Sequence, residues 1–169
     1  TTGGVSVPKL GANDSGMGLC EVFGHQRTDL RPGLVPLKSD DTTVRRMRGV
    51  RVWAKVSAQG AGGRQIEDTD DLLFTRYGVS GFTILNLSAR LVPMLSQGPQ
   101  DLHISLLPDD TAEMASEMLL ARWQRHPHRT LGLSFAGLLH WKVARPLLES
   151  LSLNPDEPVS QIGKKDRWA

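Results

Sequence analysis

The spacing of apolar residues changes along this 169-residue chain, and that change constrains the fold more than any other feature. From Val50 to Ala58 apolar and polar residues alternate, which is typical of a half-buried β-strand. Asp71–Thr75 and Leu102–Leu106 also favour strands. From Gly81 onwards apolar residues recur at helical spacing, and helical patterns return after Pro108. Strands followed by helices predict an α+β fold, with a β-rich part at 34–108 and a helical part at 109–169.

Local signals place the ends of several elements. Ser80 is predicted to cap the helix that starts near Gly81, and Asp110 with Glu113 is predicted to cap the next one. A short helix is predicted over residues 16–23, within an otherwise irregular region rich in Gly, Pro, Ser and Asp at residues 1–33.

Composition bounds the class of protein. Hydrophobic residues make up 39% and charged residues 22%, which is typical of a globular chain. The apolar stretches fall short of the roughly 20 residues that cross a bilayer, and the N-terminus does not resemble a signal peptide. Because Cys20 is the only cysteine, no intramolecular disulfide can form. We therefore expect a cytoplasmic protein without a membrane partner, in which Cys20 is a buried, inert thiol.

Both ends of the sequence interrupt a pattern. Residues 1–4 resemble the middle of a Gly-rich turn, and residues 164–169 resemble the start of an amphipathic helix. Natural chains usually end at a surface after a finished element. The pattern predicts a piece of a longer protein.

Isolated catalytic or metal-binding patterns are weak. Gly78-Val79-Ser80-Gly81 resembles a hydrolase nucleophile elbow, but position 82 is Phe instead of the glycine that the motif needs. His126 and His128 lack further ligands nearby in the sequence, so no metal site is predicted. The four tryptophans are scattered, and packing is the favoured interpretation for each.

A basic run offers a possible phosphate site. It consists of Arg45, Arg46, Arg48 and Arg51. The preceding Asp40 and Asp41 partly offset its charge, and the whole chain carries a net charge of only +2. A solvated turn is the favoured interpretation, and no nucleic-acid partner is expected. Nucleic-acid binding through this run would show as strongly salt-dependent retention on DNA.

The Gly-rich start supports two interpretations. Such a loop lets backbone N–H groups approach a ligand, and a helix that starts near Gly16 adds a positive dipole end. An irregular linker explains the composition equally well. The glycine spacing is not that of a dinucleotide-binding turn.

Three stretches in the first ninety residues resemble one protein family. They are Thr2–Gly11 with its continuation to Gly24-His25, then Leu30–Leu37, which reads LRPGLVPL, and Leu72–Gly81 followed by Ile84–Ser88. The resemblance is to the bacterial flavoproteins that include aminoacetone oxidase and 3-dehydro-bile-acid reductase, called NAD(FAD)-utilizing dehydrogenases. Arg76 and Phe82 depart from the His and Pro usual in that family, and Asn13-Asp14-Ser15 alters its loop.

The resemblance implies an architecture and a cofactor. In this family a Rossmann-like FAD domain is split in sequence by a β-barrel and a helical subdomain. Residues 1–33 would be the connector from the FAD domain, 34–108 a β-barrel-like subdomain and 109–169 the helical subdomain. The chain would be the substrate-covering insert of an FAD-dependent oxidoreductase, inactive alone, with a small-molecule substrate and NAD(P)H as a possible reductant. Its partner would be the FAD-binding domain of the same protein, since the chain has no Gly-x-Gly-x-x-Gly turn.

The resemblance also implies two sets of site residues. Those expected beside FAD in the intact protein are Thr2, Gly3 and Gly4. Those expected in the substrate-pocket wall are Pro8, Gly11, Asn13, Asp14, Ser15, Gly16, Thr75, Arg76, Tyr77, Ser80 and Gly81. No residue is assigned as a catalytic acid or base, and Arg76, a permanent cation, is unsuited to either role. The alternative function is a free-standing β-barrel module that binds a ligand or a partner.

Overall fold

A computed structural model describes residues 3–163, which divide into two compact units, residues 1–33 and 34–169. The first unit contains a 3-10 turn at Pro8–Leu10 and helix α1 at Ser15–Val22. After α1 the amides of Gly24 and His25 donate to the carbonyls of Glu21 and Cys20, at 3.0 and 3.2 Å, which closes the helix end. None of residues 3–33 is buried. Cys20 is exposed, so its prediction as a buried thiol is wrong.

The second unit carries a five-stranded antiparallel sheet among the described residues. Its strands are β1 (Leu37–Lys38), β2 (Arg51–Gln59), β3 (Gln65–Thr75), β4 (Gly78–Ser80) and β5 (His103–Ser105). They lie in the order β1-β4-β3-β2-β5. The longest pairing joins β2 to β3, from Arg51 opposite Leu73 to Gln59 opposite Gln65. β3 begins six residues before the predicted strand, because its first half is polar and lacks an apolar alternation.

Helices surround and follow the sheet. They are α2 (Thr42–Arg46), α3 (Phe82–Leu95), α4 (Ala112–Arg125), α5 (Leu131–Ser134) and α6 (Trp141–Ser150). This arrangement confirms the predicted α+β fold. No helix in residues 3–163 is long and apolar enough to cross a bilayer.

Three local predictions differ from the structure. The basic run is not a solvated turn, because Asp41 caps α2 by accepting from the amides of Thr43 and Val44 at 2.7 and 3.4 Å. Ser80 ends β4, and Gly81 takes the cap position of α3 without a side-chain hydrogen bond. Thr111, not Asp110, caps α4, with its hydroxyl accepting from the Met114 amide at 3.2 Å.

Two hydrophobic clusters hold the second unit together. The first joins the sheet to α3, with Ala54, Val56 and Leu72 from the strands fully buried. The second lies in the helical part and includes Leu131, Leu148, Val159 and Ile162. Helix α6 supplies Val143 to the first cluster and Leu148 to the second. The two cores are therefore linked through one helix.

Candidate functional site

The first part of the predicted pocket wall is a loop organised by its own polar groups. The 3-10 turn that begins at Pro8 ends at Gly11, whose carbonyl accepts from the side-chain amide of Asn13 at 3.0 Å. The Asn13 carbonyl oxygen in turn accepts from the Ser15 amide at 3.0 Å. Asp14 takes the cap position of α1, but its side chain makes no capping hydrogen bond. A role for this loop in a substrate pocket stays a prediction.

A cleft of about 430 Å³ lies in the same unit and brings together Gly3 and Gly16. Its other walls include Cys20, His25 and Arg27, which the sequence did not single out. Arg27 lies 3.3 Å from Glu21 and 3.7 Å from Asp14, so it ties the helix start to the segment that follows the helix. No cluster of three His, Cys, Asp or Glu side chains suited to a metal is present in residues 3–163.

The residues beside this cleft offer an open edge rather than a cradle for a cofactor. A Cβ atom built on Gly3 or Gly4 would meet nothing within 4 Å, and both residues are exposed. Thr2 lies outside the described residues. Backbone of this kind can border a flavin that another domain holds, but the described residues do not enclose one.

The first unit also exposes an unusual amount of apolar surface. The large apolar side chains that it exposes are Val7, Leu10, Leu19, Val22, Phe23 and Leu30. Leu10 and Val22 are more than four-fifths exposed, at 84% and 81%. Single exposed apolar residues are ordinary, but a short segment that buries no residue while exposing six such side chains needs a covering surface.

The second part of the predicted pocket wall is the turn between β3 and β4. The Thr75 hydroxyl donates to the Gly78 carbonyl at 3.0 Å and accepts from the Tyr77 amide at 3.3 Å, which shapes the turn. Arg76 and Tyr77 are exposed at its tip, whereas Ser80 is half-buried at the end of β4. Gly81 is buried and packs tightly on the backbone of β3. The turn thus presents one cation and one phenol to its surroundings.

A basic cleft of about 620 Å³ between α2 and α6 was not predicted. Its charged lining residues are Arg45, Arg46, Arg48, Lys142 and Arg145. No carboxylate is found among the described residues that line it. The cleft therefore concentrates positive charge that the net charge of the whole chain conceals.

Carboxylates hold the cleft from behind. Glu149 forms ion pairs with Arg46 of α2 and with Arg145 of α6, the latter at 3.0 Å, and so connects the two walls. The hydrogen bond from Arg46 is the main cause that lowers the pKa of Glu149, with Arg145 adding to it. Arg145 also lies 2.8 Å from Asp156, and this hydrogen-bonded pair raises the pKa of the guanidinium. Arg48 and Lys142 make no ion pair within residues 3–163.

An exposed aromatic side chain completes the cleft. Trp141, the first residue of α6, is 65% exposed. The His140 ring stacks near it at 6.0 Å between centroids, and the Lys142 ammonium lies 5.8 Å from the centre of the indole. The sequence interpretation of Trp141 as a packing residue is wrong, because its face is left open to solvent. The run His140-Trp141-Lys142 with Arg145 was the available signal, but its arginine partners lie about ninety residues away in the chain.

Comparison with known proteins identifies the family. Residues 31–169 match the model described as the HI0933-like protein barrel and H2TH domain. The chain is 29% identical over 169 residues to the 3-dehydro-bile acid delta(4,6)-reductase of Clostridium scindens, covering 98% of this chain and 41% of that protein. It is also 29% identical over 171 residues to the ribosomal RNA dihydrouridine synthase of Escherichia coli, covering 99% of this chain and 40% of that protein. The protein of the same name from Haemophilus influenzae is 28% identical over 165 residues, covering 96% of this chain and 38% of that protein.

These relatives confirm the resemblance seen in the sequence. The chain spans about two fifths of the length of each of them. The family model covers most of the chain, including the whole described sheet and the helices from α2 to α6. The chain therefore belongs to the HI0933-like family and carries its barrel and H2TH domain.

Proposed function

We propose that this chain is the substrate-covering part of an FAD-dependent oxidoreductase and that it is inactive alone. The observation that carries the proposal is the segment at residues 3–33, which buries no residue and exposes six large apolar side chains. Covering one such side chain contributes about 1.5–3 kcal/mol. The partner proposed to cover them is the FAD-binding domain of the same protein, which accords with a chain that spans two fifths of its relatives.

The reaction we propose is reductive. The relatives are named as a reductase and as dihydrouridine synthases. Both names describe the addition of hydrogen to a double bond, and NAD(P)H is the proposed electron source. FAD, when bound, would supply the hydride-transfer chemistry. We place the protein in the cytoplasm, where this reductant is available.

The proposed work of this chain is to shape and dry the site. Gly3 and Gly4 would border the flavin, with their backbone open to close approach. The exposed Arg76 would hold an anionic or carbonyl group of the substrate without transferring a proton, because a guanidinium stays charged near neutral pH. Tyr77 beside it offers a hydroxyl that can orient the substrate.

Two substrate classes are open to this proposal. One relative is named for a bile acid and two for ribosomal RNA. The basic cleft between α2 and α6 is the observation in this chain that favours RNA as the second candidate.

The proposal is tested with the full-length protein by comparing two variants with matched exposure. Leu19 on α1 and Met114 on α4 are 55% and 52% exposed. Leu19→Ser should weaken docking of the FAD domain and lower the amount of FAD that stays with the protein through gel filtration. Met114→Ser should leave FAD retention unchanged.

The isolated chain provides the second test. Without its partner domain it should show no flavin spectrum after incubation with FAD and no NAD(P)H oxidation. Tight FAD binding with turnover by this chain alone would refute the proposal, as would unchanged FAD retention in Leu19→Ser.

A further inference from the structure

We propose that the basic cleft between α2 and α6 binds an unpaired segment of RNA, with phosphates held by the cations and one base stacked on Trp141. The inference rests on the proposed function only for the choice of RNA as the nucleic acid. Binding itself is independent of flavin chemistry and can be measured without it.

The lining of the cleft has the charge that a phosphodiester backbone requires. Five cations line it without a lining carboxylate. The cations occupy two elements, α2 with the turn after it and the first half of α6, so they can contact successive phosphates rather than one point charge. The N-terminus of α6, a ten-residue helix, opens at this cleft and adds positive partial charge.

Two of the cations are free to meet a ligand. Arg48 and Lys142 have no ion-pair partner in the described part of the chain and are exposed. Arg45 already donates to the Ser39 carbonyl and to Asp40. The Arg46–Glu149–Arg145 arrangement holds the walls in place. Some cations thus build the cleft while others remain available for phosphates.

Trp141 supplies the surface that distinguishes an unpaired strand from a duplex. Its indole is 65% exposed at the edge of the cleft, where a base from a single strand can stack. Bases within a duplex are already stacked on their neighbours, so an exposed indole beside a row of cations suits unpaired nucleotides. The neighbouring His140 ring and Lys142 ammonium restrict the space around the indole and help to present it.

The tertiary structure changes the expectation drawn from the basic run alone. In the sequence, Asp40 and Asp41 offset that run. In the fold, Asp41 caps α2 and Asp40 binds Arg45, and neither lines the cleft. Helix α6 then adds two cations and the aromatic ring to the same surface.

The experiment measures the fluorescence anisotropy of a labelled single-stranded oligouridine RNA titrated with the full-length protein at several salt concentrations. Trp141→Ala should weaken binding by about tenfold, the usual effect of removing one stacking partner. Trp53→Ala is the matched control, because Trp53 is also an exposed tryptophan, at 54%, and lies on β2 outside the cleft. It should leave the affinity unchanged.

A second pair of variants tests the phosphate contacts. The double variant Arg48→Ala/Lys142→Ala should reduce the slope of log Kd against log salt by about two, one for each lost phosphate contact. Arg64→Ala/Arg90→Ala removes the same charge from exposed positions outside the cleft and should leave that slope unchanged. Thermal unfolding of all variants confirms that they remain folded.

Several outcomes would overturn the inference. These are no RNA binding, equal losses in the cleft and control variants, a Trp141→Ala variant that binds as well as the parent, tighter binding of duplex DNA than of the RNA, and competition by uridine monophosphate as effective as that by the strand. Loss of RNA binding with full FAD retention would count against this inference alone. Loss of FAD retention in Leu19→Ser with intact RNA binding would support the proposed function independently.

Discussion

Gly81 shows how one residue sets the distance between two elements. It has a φ of 94°, and a Cβ built on it would lie 2.3 Å from the Asp71 carbonyl oxygen of β3. The same oxygen accepts from the buried Thr83 hydroxyl at 3.2 Å. The start of α3 therefore lies against the backbone of β3 and leaves no room for a side chain.

We expect Gly81→Ala to lower the free energy of unfolding by about 3 kcal/mol or more, since backbone strain and overlap add together. Gly49→Ala is the control, because Gly49 has a similar φ of 83° but open space where the alanine methyl group would lie, with nothing within 4 Å. It should cost only about 1 kcal/mol. Urea denaturation measures both, and equal losses would mean that close approach to β3 contributes nothing.

At the scale of elements, α3 is tied to the segment that leads into β1. The buried Ser88 hydroxyl donates to the Leu85 carbonyl at 2.7 Å and accepts from the Val35 amide at 3.1 Å. The segment before β1 is short of regular pairing, so this side chain supplies the acceptor that Val35 would otherwise lack.

Ser88→Ala should cost about 1–2 kcal/mol, because the partly buried Val35 amide loses its acceptor. Ser96 is a matched control at the end of the same helix, since its hydroxyl also donates three residues back, to Pro93 at 2.7 Å, but in an exposed position. Its replacement by Ala should change stability by less than about 0.5 kcal/mol. Hydrogen exchange should show faster exchange of the Val35 amide only in Ser88→Ala, and an unchanged rate there would contradict the prediction.

At the scale of the whole molecule, both hydrophobic cores lie within residues 34–163. Removing residues 1–33 should therefore change the free energy of unfolding by less than about 1 kcal/mol and preserve a cooperative transition. Ending the chain at residue 140 instead removes Val143 and Leu148, one from each core, and should abolish cooperative unfolding. Circular dichroism during heating measures both, and loss of the transition after the first deletion would show that residues 1–33 are needed for folding.

The sequence predicted the elements whose side chains report their own surroundings. Residues 50–58 alternate because one face of β2 is buried and the other is not, and residues 81–95 follow helical spacing because one face of α3 is buried. The first half of β3 was missed, since its residues Gln65–Asp70 are mostly polar and pair with β2 through the backbone. Backbone pairing leaves no side-chain pattern to read.

The candidate sites divide in the same way. The motifs that place the chain in its family are contiguous stretches, so they were readable before any fold was known, and the loop at Pro8–Gly16 and the turn at Thr75–Gly81 were named from them. The basic cleft was not readable, because Arg46 and Glu149 are separated by about a hundred residues and only the packing of α6 beside α2 unites them. The exposure of Trp141 was equally hidden, since the same residue type serves in cores and on surfaces.

By itself, then, the sequence determined the α+β class, the family and the candidate pocket residues, because periodicity and contiguous motifs are local properties of the chain. Only the tertiary structure decided which charges share a surface, which tryptophan is open to solvent and which glycine is held against another strand. These depend on contacts between residues far apart in the chain, and such contacts are set by the joint packing of several elements rather than by any one of them.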